Sequence, residues 1–409
     1  MHDLTLYNLQ RPEVIASPWS YYSRLLAEGT AFDPYLRCWL LARHADVTAV
    51  LADTRFSVAM RHEERLGRLV PGEDSVHRAL RYLDRHVSFV DSPDHGRLRT
   101  ALSVPFRPGH VRLLETYVTE VVSTALDGVS DVVRDLASPV PLRITQRMLG
   151  LSVDVATLRR WSTAWGDVVS APGHLPTGDR DRLMSTVDEL VAGLEALVAE
   201  HRRTGRRDTV TGLLIQAVAG GRLDEDELIA NLMMLVTAGN ETTTNLISNA
   251  VLALLRDPEL WSVLARDRAL LPAAIEELAR LYPPTQYTAR TALVDVSIGG
   301  VDVAKGQSVV LLLAAANRDP AAFPDPDRLR LDRPAARHLS FGHGTHFCFG
   351  AALARLEARV VLDGLLDRGR PRPTGEPSWR LNGNLRGMDS LPVRLPRQRR
   401  QRVAGGVST

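Results

Sequence analysis

Lysine is almost missing from this chain. Of its 50 lysine and arginine residues only Lys305 is a lysine, a bias that reads as the mark of a GC-rich genome rather than of a function. Cysteine is nearly as scarce. Cys38 and Cys348 are the only two in 409 residues, too few for a disulfide framework and with no CxxC pair to hold zinc or an iron–sulfur cluster. A reducing cytoplasm is the compartment such a chain is expected to occupy. Long hydrophobic runs are lacking too. The longest, "VVLLLAAA" from Val309, falls well short of the roughly 20 residues that cross a bilayer. The opening "MHDLTLYNLQRPEV" has no basic stretch leading into an apolar core, so no secretory leader is expected and the protein should be soluble. With 48 acidic residues against 50 basic ones, the net charge of +2 calls for neither nucleic acid nor a membrane surface. No Pro/Gly/Ser-rich linker divides the chain. The expectation is one domain over residues 1–393 and a basic tail, 394–409, without order.

What the chain has in abundance is helical periodicity. "SPWSYYSRLLAEG" near the start, "MSTVDELVAGLEALVAEHRR" from Met184 and the segment from Asp224 to Leu260 all carry it. The last reads as one helix of about 30 residues, apolar nearly all round, of the kind that runs through a core. Asp257 and Pro258 then start another helix as N-cap and first position. Strand signals are fewer: "RCWLLAR" around Cys38, and a small meander from Val294 that turns at Gly299-Gly300 and Lys305-Gly306. The fold class predicted is mainly α with a small β region.

The stretch "FGHGTHFCFGAALARLEA", Phe341 to Ala358, sets a lone thiol between a glycine-rich loop and a helix. Free cysteine is often just a small buried hydrophobe, and Cys38, in a strand-like run beside Trp39, fits that description. Cys348 suits another role. Glycines allow backbone to approach a flat ligand, and N–H groups at a helix start favour a thiolate. Gly344 and Gly350 supply the close approach, and Phe341 can shield the sulfur. A single thiolate matches haem ligation better than zinc or an iron–sulfur cluster.

On these residues the chain resembles the cytochrome P450 family of haem-thiolate monooxygenases, in its bacterial soluble form, and the resemblance extends over most of the chain. It implies the P450 fold, with haem b (iron protoporphyrin IX) between the long central helix and the helix after the cysteine loop, and Cys348 as axial ligand of the iron. "TAGNETTT" from Thr237 resembles the oxygen-binding groove: Ala238 and Gly239 leave space, and Glu241 with Thr242 would deliver protons. Asn240 stands where many bacterial relatives have histidine. Read alone, the same stretch is equally a kinked core helix whose threonine hydroxyls bond back to the preceding turn. "EELAR" resembles the ExxR motif, which implies that Glu277 and Arg280 lock against a third residue, Arg328, as structural support. His95, Arg99, Arg290 and His346 match positions that bind the haem propionates. "AANRDP" from Ala315 adds likeness without a role.

The activity implied is oxidation of a mostly apolar organic substrate, a natural-product intermediate, by hydroxylation or epoxidation. Oxidative coupling or peroxygenase chemistry on the same haem is the alternative, and a haem sensor or electron carrier a more remote one. No GxGxxG opens a helix after a strand, so electrons are expected from separate proteins, and the resemblance implies a ferredoxin with its reductase. Arg99, Arg107, Arg355 and Arg359 are the candidate docking face. The segment from Met60 to Val90, Met233 and its neighbours, Thr285–Thr288 and Asn384–Ser390 are expected to line the substrate pocket. Trp161 and Trp165, at helical spacing, are read as core or channel lining.

Overall fold

The computed structural model describes residues 4–59, 81–170, 177–333 and 338–396. Most of the basic tail, and the segment 60–80 expected to reach the pocket, lie outside them. The described chain is mainly helical, with one five-stranded sheet and three two-stranded ones. The helices that place the site are α1 (Trp19–Glu28), α2 (Asp94–Leu102), α3 (Pro139–Leu149), α4 (Val155–Ser170), α5 (Thr177–Thr204), α6 (Glu225–Ala238), α7 (Glu241–Arg256), α8 (Leu271–Leu281) and α9 (Ala351–Arg368). No described helix is long and apolar enough to cross a membrane.

The sheet has strand order β1-β2-β7-β4-β3. Its members are β1 (Thr30–Asp33), β2 (Cys38–Leu41), β3 (Phe56–Ser57), β4 (Thr288–Ala292) and β7 (Ser308–Leu311), while β5 (Val296–Ile298) and β6 (Val301–Val303) pair as a separate hairpin. The predicted meander therefore splits. Its third strand leaves the hairpin to lie between β2, to which it is parallel, and β4, to which it is antiparallel. Cys38 is buried in β2, and burial pushes its thiol up to about 12, in keeping with a packing role.

The long helix expected from Asp224 is two helices. α6 starts at a reciprocal cap: Asp224 Oδ1 accepts from the Glu227 N–H at 2.7 Å, and Glu227 Oε2 accepts from the Asp224 N–H at 2.9 Å. It ends at Ala238, and α7 begins at Glu241. The break has a packing reason. Leu228–Val236 of α6 belong to one core cluster, with α4 and α5, whereas Leu246–Leu255 of α7 belong to another, with α8 and α9. Gly239 and Asn240 sit at the crossing between the two cores. The helix after Asp257 is as predicted, its Asp257 side chain accepting from the Leu260 N–H at 2.9 Å. Trp161 and Trp165 are buried in the α4–α5–α6 core.

Candidate functional site

The cysteine loop is held from below by a buried ion pair. Glu277 and Arg280 share one face of α8, and the Arg280 guanidinium is completely buried. Its Nε and Nη2 donate to the two Glu277 oxygens at 2.7 and 2.9 Å. Its remaining N–H groups donate to the carbonyls of Asn317 (2.9 Å), Pro326 (2.7 Å) and Arg328 (3.1 Å). Every donor of the fork is thereby used, the condition under which a buried guanidinium is tolerated. Burial pushes the Glu277 carboxyl up, but Arg280 and the Arg330 N–H outweigh it and hold the group below the usual carboxylate range.

The third member of this set is Arg333 rather than Arg328. Arg333 is buried with its Nε 3.1 Å from Glu277 Oε1. Arg328 contributes only its backbone carbonyl, and its side chain is exposed. The turn around Asp325, a residue in left-handed conformation, points Arg328 outward and brings Arg333 back under Glu277.

"AANRDP" acquires a structural part. Asn317, whose carbonyl binds Arg280, accepts from the Leu339 N–H through Oδ1 at 2.7 Å and donates from Nδ2 to Ser340 Oγ at 2.9 Å. Ser340 in turn donates to the Ala279 carbonyl at 2.7 Å. The ion pair and the start of the cysteine loop are one connected network. Across the loop, the Cys348 N–H donates to the Phe341 carbonyl at 2.9 Å. Arg355 of α9 stacks 4.4 Å from the centre of the Phe341 ring and makes a two-pronged contact with Glu276 at 2.6 and 2.8 Å.

Above the loop lies a cavity of about 430 Å³. Phe341, Cys348 and Gly350 line one wall, and Ala238, Gly239 and Thr242 line the opposite wall at the α6–α7 break. His95 and Arg99 from α2, Arg290 from β4 and His346 from the loop are also in the lining. These predicted residues, remote in sequence, do come together. Burial pushes the Cys348 thiol up, opposed by the N–H groups of Gly350 and Ala351 and by the charges of Arg355 and Arg99. A Cβ on Gly350 would stand 3.8 Å from the sulfur, an ordinary contact, so this glycine lies directly beside the thiol.

Two predicted residues do not face this cavity. Gly344 has a φ of +69°, and a Cβ on it would come within 2.6 Å of the Leu51 carbonyl, so the glycine lets the loop pass the backbone after β2. Glu241 points away, toward α4. Its Oε1 accepts from Arg380 Nη1 at 3.0 Å, and burial and nearby Asp167 push its carboxyl up while Arg380 pulls it down. Thr242 faces the cavity and also donates back to the Ala238 carbonyl at 2.7 Å, the back-bond expected of a threonine in a kinked core helix.

Among the described residues none of His95, Arg99, Arg290 and His346 makes an ion pair with a carboxylate. The nearby Asp91 is taken up by the Ser57 hydroxyl and the Val58 N–H at 3.0 Å. Arg290 donates only to Thr288 Oγ1 and the Ala289 carbonyl, and burial lowers it to about 10. Burial likewise lowers His95 and Arg99. The His95 and His346 rings stack at 3.9 Å. Arg290 is buried and Arg99 half-buried, while burial keeps the His95 and His346 rings toward their neutral forms; two guanidiniums without an ion-pair partner, with imidazole N–H groups beside them, suit a ligand that brings anionic groups of its own. Among the described residues no cluster of three histidine, cysteine or acidic side chains could hold a bare metal ion. A flat, dianionic macrocycle whose metal takes one thiolate fits the donors present.

The rest of the lining includes Val87, Ser88, Phe89, Met234, Leu235, Thr285, Thr288 and Leu313. Met234 takes the place expected of Met233, which is fully buried. None of residues 384–390 reaches the cavity; Arg386 is buried, donating to the carbonyls of Ile15 and Ala16. Sequence reasoning missed Thr145 of α3 and Glu357 of α9, both in the lining, and Arg380 beside Glu241. Of these only Glu357 had a local signal, as an acid in a run of otherwise apolar spacing.

The expected docking face is thinner than predicted. Arg355 is paired with Glu276 and Arg359 with Glu115, and Arg99 turns inward to donate to the Phe347 carbonyl at 2.6 Å. Arg107 remains exposed, beside exposed Arg112.

Comparison with known proteins agrees with this geometry. The family model described as cytochrome P450 matches residues 160–376. The cytochrome P450 monooxygenase PikC of Streptomyces venezuelae is 34% identical over 408 residues, covering 95% of this chain and 93% of the relative. The polyketide biosynthesis cytochrome P450 PksS of Bacillus subtilis (strain 168) is 30% identical over 371 residues, 87% of this chain and 89% of that one. The crystal structure of P450BioI in complex with a hexadec-9Z-enoic acid ligated acyl carrier protein superposes with a TM-score of 0.85 at 30% identity, covering 94% of this chain and all of that one.

Proposed function

The chain belongs to the cytochrome P450 family of oxygen-incorporating oxidoreductases, and on that premise we propose that it hydroxylates or epoxidises a mostly apolar natural-product intermediate. The observation that carries this reading is the cavity itself, lined by Cys348, by the helix break and by Arg99 and Arg290, which make no ion pair among the described residues. The cofactor is haem b, which supplies dioxygen activation when given two electrons. Cys348 ligates it, with the N–H groups of Gly350 and Ala351 helping to keep negative charge on the sulfur. His95, Arg99, Arg290 and His346 bind its propionates.

On the opposite wall Ala238 and Gly239 leave room for a small molecule beside the Thr242 hydroxyl. That hydroxyl donates a hydrogen bond to the Ala238 carbonyl, which leaves its oxygen free to accept a hydrogen bond from water. Glu241, held toward its neutral form by burial, is the proton source on the outer side, and Arg380 tethers it there. Transfer through such positioned groups is typically worth about 10²–10⁴-fold. Val87, Phe89, Met234, Leu235 and Leu313 offer the substrate an apolar surface, and Ser88, Thr285 and Thr288 offer hydroxyls to orient it. One relative, named for polyketide biosynthesis, supports a substrate of that kind. A ferredoxin and its reductase supply the electrons, in keeping with the absence of a dinucleotide motif in the sequence.

The test is the reduced protein with carbon monoxide. Wild type and Cys38→Ser are expected to show the strongly red-shifted Soret band of thiolate-bound haem, and Cys348→Ser to lose it. An unaltered band in Cys348→Ser would overturn the proposal.

A further inference from the structure

The α6–α7 break is more than an interruption, because its polar groups are accounted for in a particular way. In an unbroken helix the Asn240 N–H would donate to the Val236 carbonyl. Here it donates to the Thr237 carbonyl at 3.1 Å, and the Val236 carbonyl loses that backbone partner. The Asn240 side chain replaces it: Nδ2 donates to the Val236 carbonyl. The other end of the same amide, Oδ1, accepts from the Thr145 hydroxyl of α3 at 3.2 Å. Both residues are buried, Asn240 at 3% exposure and Thr145 at 8%. α3 passes close by at this point: a Cβ on Gly239 would lie 3.6 Å from Thr145 Oγ1, in ordinary contact.

We infer that Thr145 and Asn240 form a clip that fixes the break in the central helix and, through it, positions the Thr242 hydroxyl. The connection is short. The Ala238 carbonyl that accepts the Thr242 hydrogen bond lies inside the turn that the clip closes, between Val236 and Asn240. Asn240 is therefore fitted to this chain's α3. Its amide gives a donor to the orphan carbonyl and an acceptor to the neighbouring hydroxyl, and no apolar residue of its size does either. Thr145 also lines the cavity, so the clip borders the space in which Thr242 acts. Both are positioning residues: neither is placed to exchange a proton with substrate.

This inference rests on the proposed function only for its catalytic half, and the experiment separates the two. In holoenzyme, Thr145→Val keeps shape and removes the hydroxyl, Thr145→Ser keeps the hydroxyl, and Asn240→Asp keeps the acceptor and removes the donor. Hydrogen exchange over the peptide 237–244 is expected to speed up roughly five- to tenfold in Thr145→Val and Asn240→Asp, the size of one lost buried hydrogen bond, with Thr145→Ser close to wild type. Product formed per NAD(P)H is expected to fall in the same two variants, with hydrogen peroxide rising and the carbon monoxide band unchanged. Wild-type exchange in Thr145→Val would overturn the clip. Faster exchange with full coupling would overturn its link to Thr242. Absence of the thiolate–haem band in wild type would instead defeat the functional proposal, and the exchange measurement would still decide the clip.

Discussion

Arg328 and Arg333 leave the same loop and meet opposite fates. Arg333 is buried against Glu277, and Arg328 is exposed. Removing a buried, charge-assisted contact costs about 1.5–3 kcal/mol, whereas a surface truncation usually stays within about 0.5 kcal/mol. Arg333→Ala is therefore expected to lower the denaturation midpoint and the haem content of purified protein, and Arg328→Ala to change neither. Equal losses from the two would remove Arg333 from the ion-pair set. The sequence offers no way to choose between them, since "DPDRLRLDR" contains three arginines and the choice is made by how the turn at Asp325 folds. Cys348, by contrast, is legible because its requirements are local: close glycines, a following helix and no second cysteine. Thr145 is invisible for the opposite reason, being one threonine on an ordinary amphipathic helix until Asn240 is set beside it.

The α8–α9 contact shows an element held by its charges. Glu276 is reached by Arg355 and by His338, and these outweigh burial to hold its carboxyl at about 2, against an ordinary 4.5. A carboxyl depressed in the folded state stabilises that state above its ordinary value and loses the contribution as pH falls through the folded one. Wild type is thus expected to melt higher than Glu276→Gln at pH 7, and the gap to close progressively from about pH 4.5 toward pH 2. A gap of constant size between pH 7 and pH 3 would show that the carboxylate charge contributes nothing there. At this scale the sequence misleads in one place. The run from Asp224 has enough apolar periodicity for a continuous helix, and only Ala238-Gly239-Asn240 hint otherwise. What divides it is tertiary: each half packs into a different core, and at the crossing the Asn240 side chain takes the Val236 carbonyl and meets Thr145 of α3.

Across the whole molecule, the face around the cysteine loop has less free positive charge than a count of its arginines suggests, since Arg355 and Arg359 are already paired. Arg107 and Arg112 carry what remains in reach of an acidic partner. Reversing both to glutamate is expected to slow ferredoxin-supported turnover severalfold at low ionic strength, with the difference fading as salt screens the surface. Turnover indifferent to both the reversal and the salt would place the electron donor elsewhere. The parallel pairing of β2 with β7 has a further consequence, for the growing chain. Cys38 meets Ser308, roughly 270 residues downstream, and at about 5–20 residues per second the ribosome needs on the order of 15–50 s to deliver it. Through that interval the β1–β2 hairpin has one edge open and the apolar side chains of Leu40 and Leu41 uncovered. Until Ser308 arrives, that open edge is the place where the growing chain is most exposed to pairing with another strand.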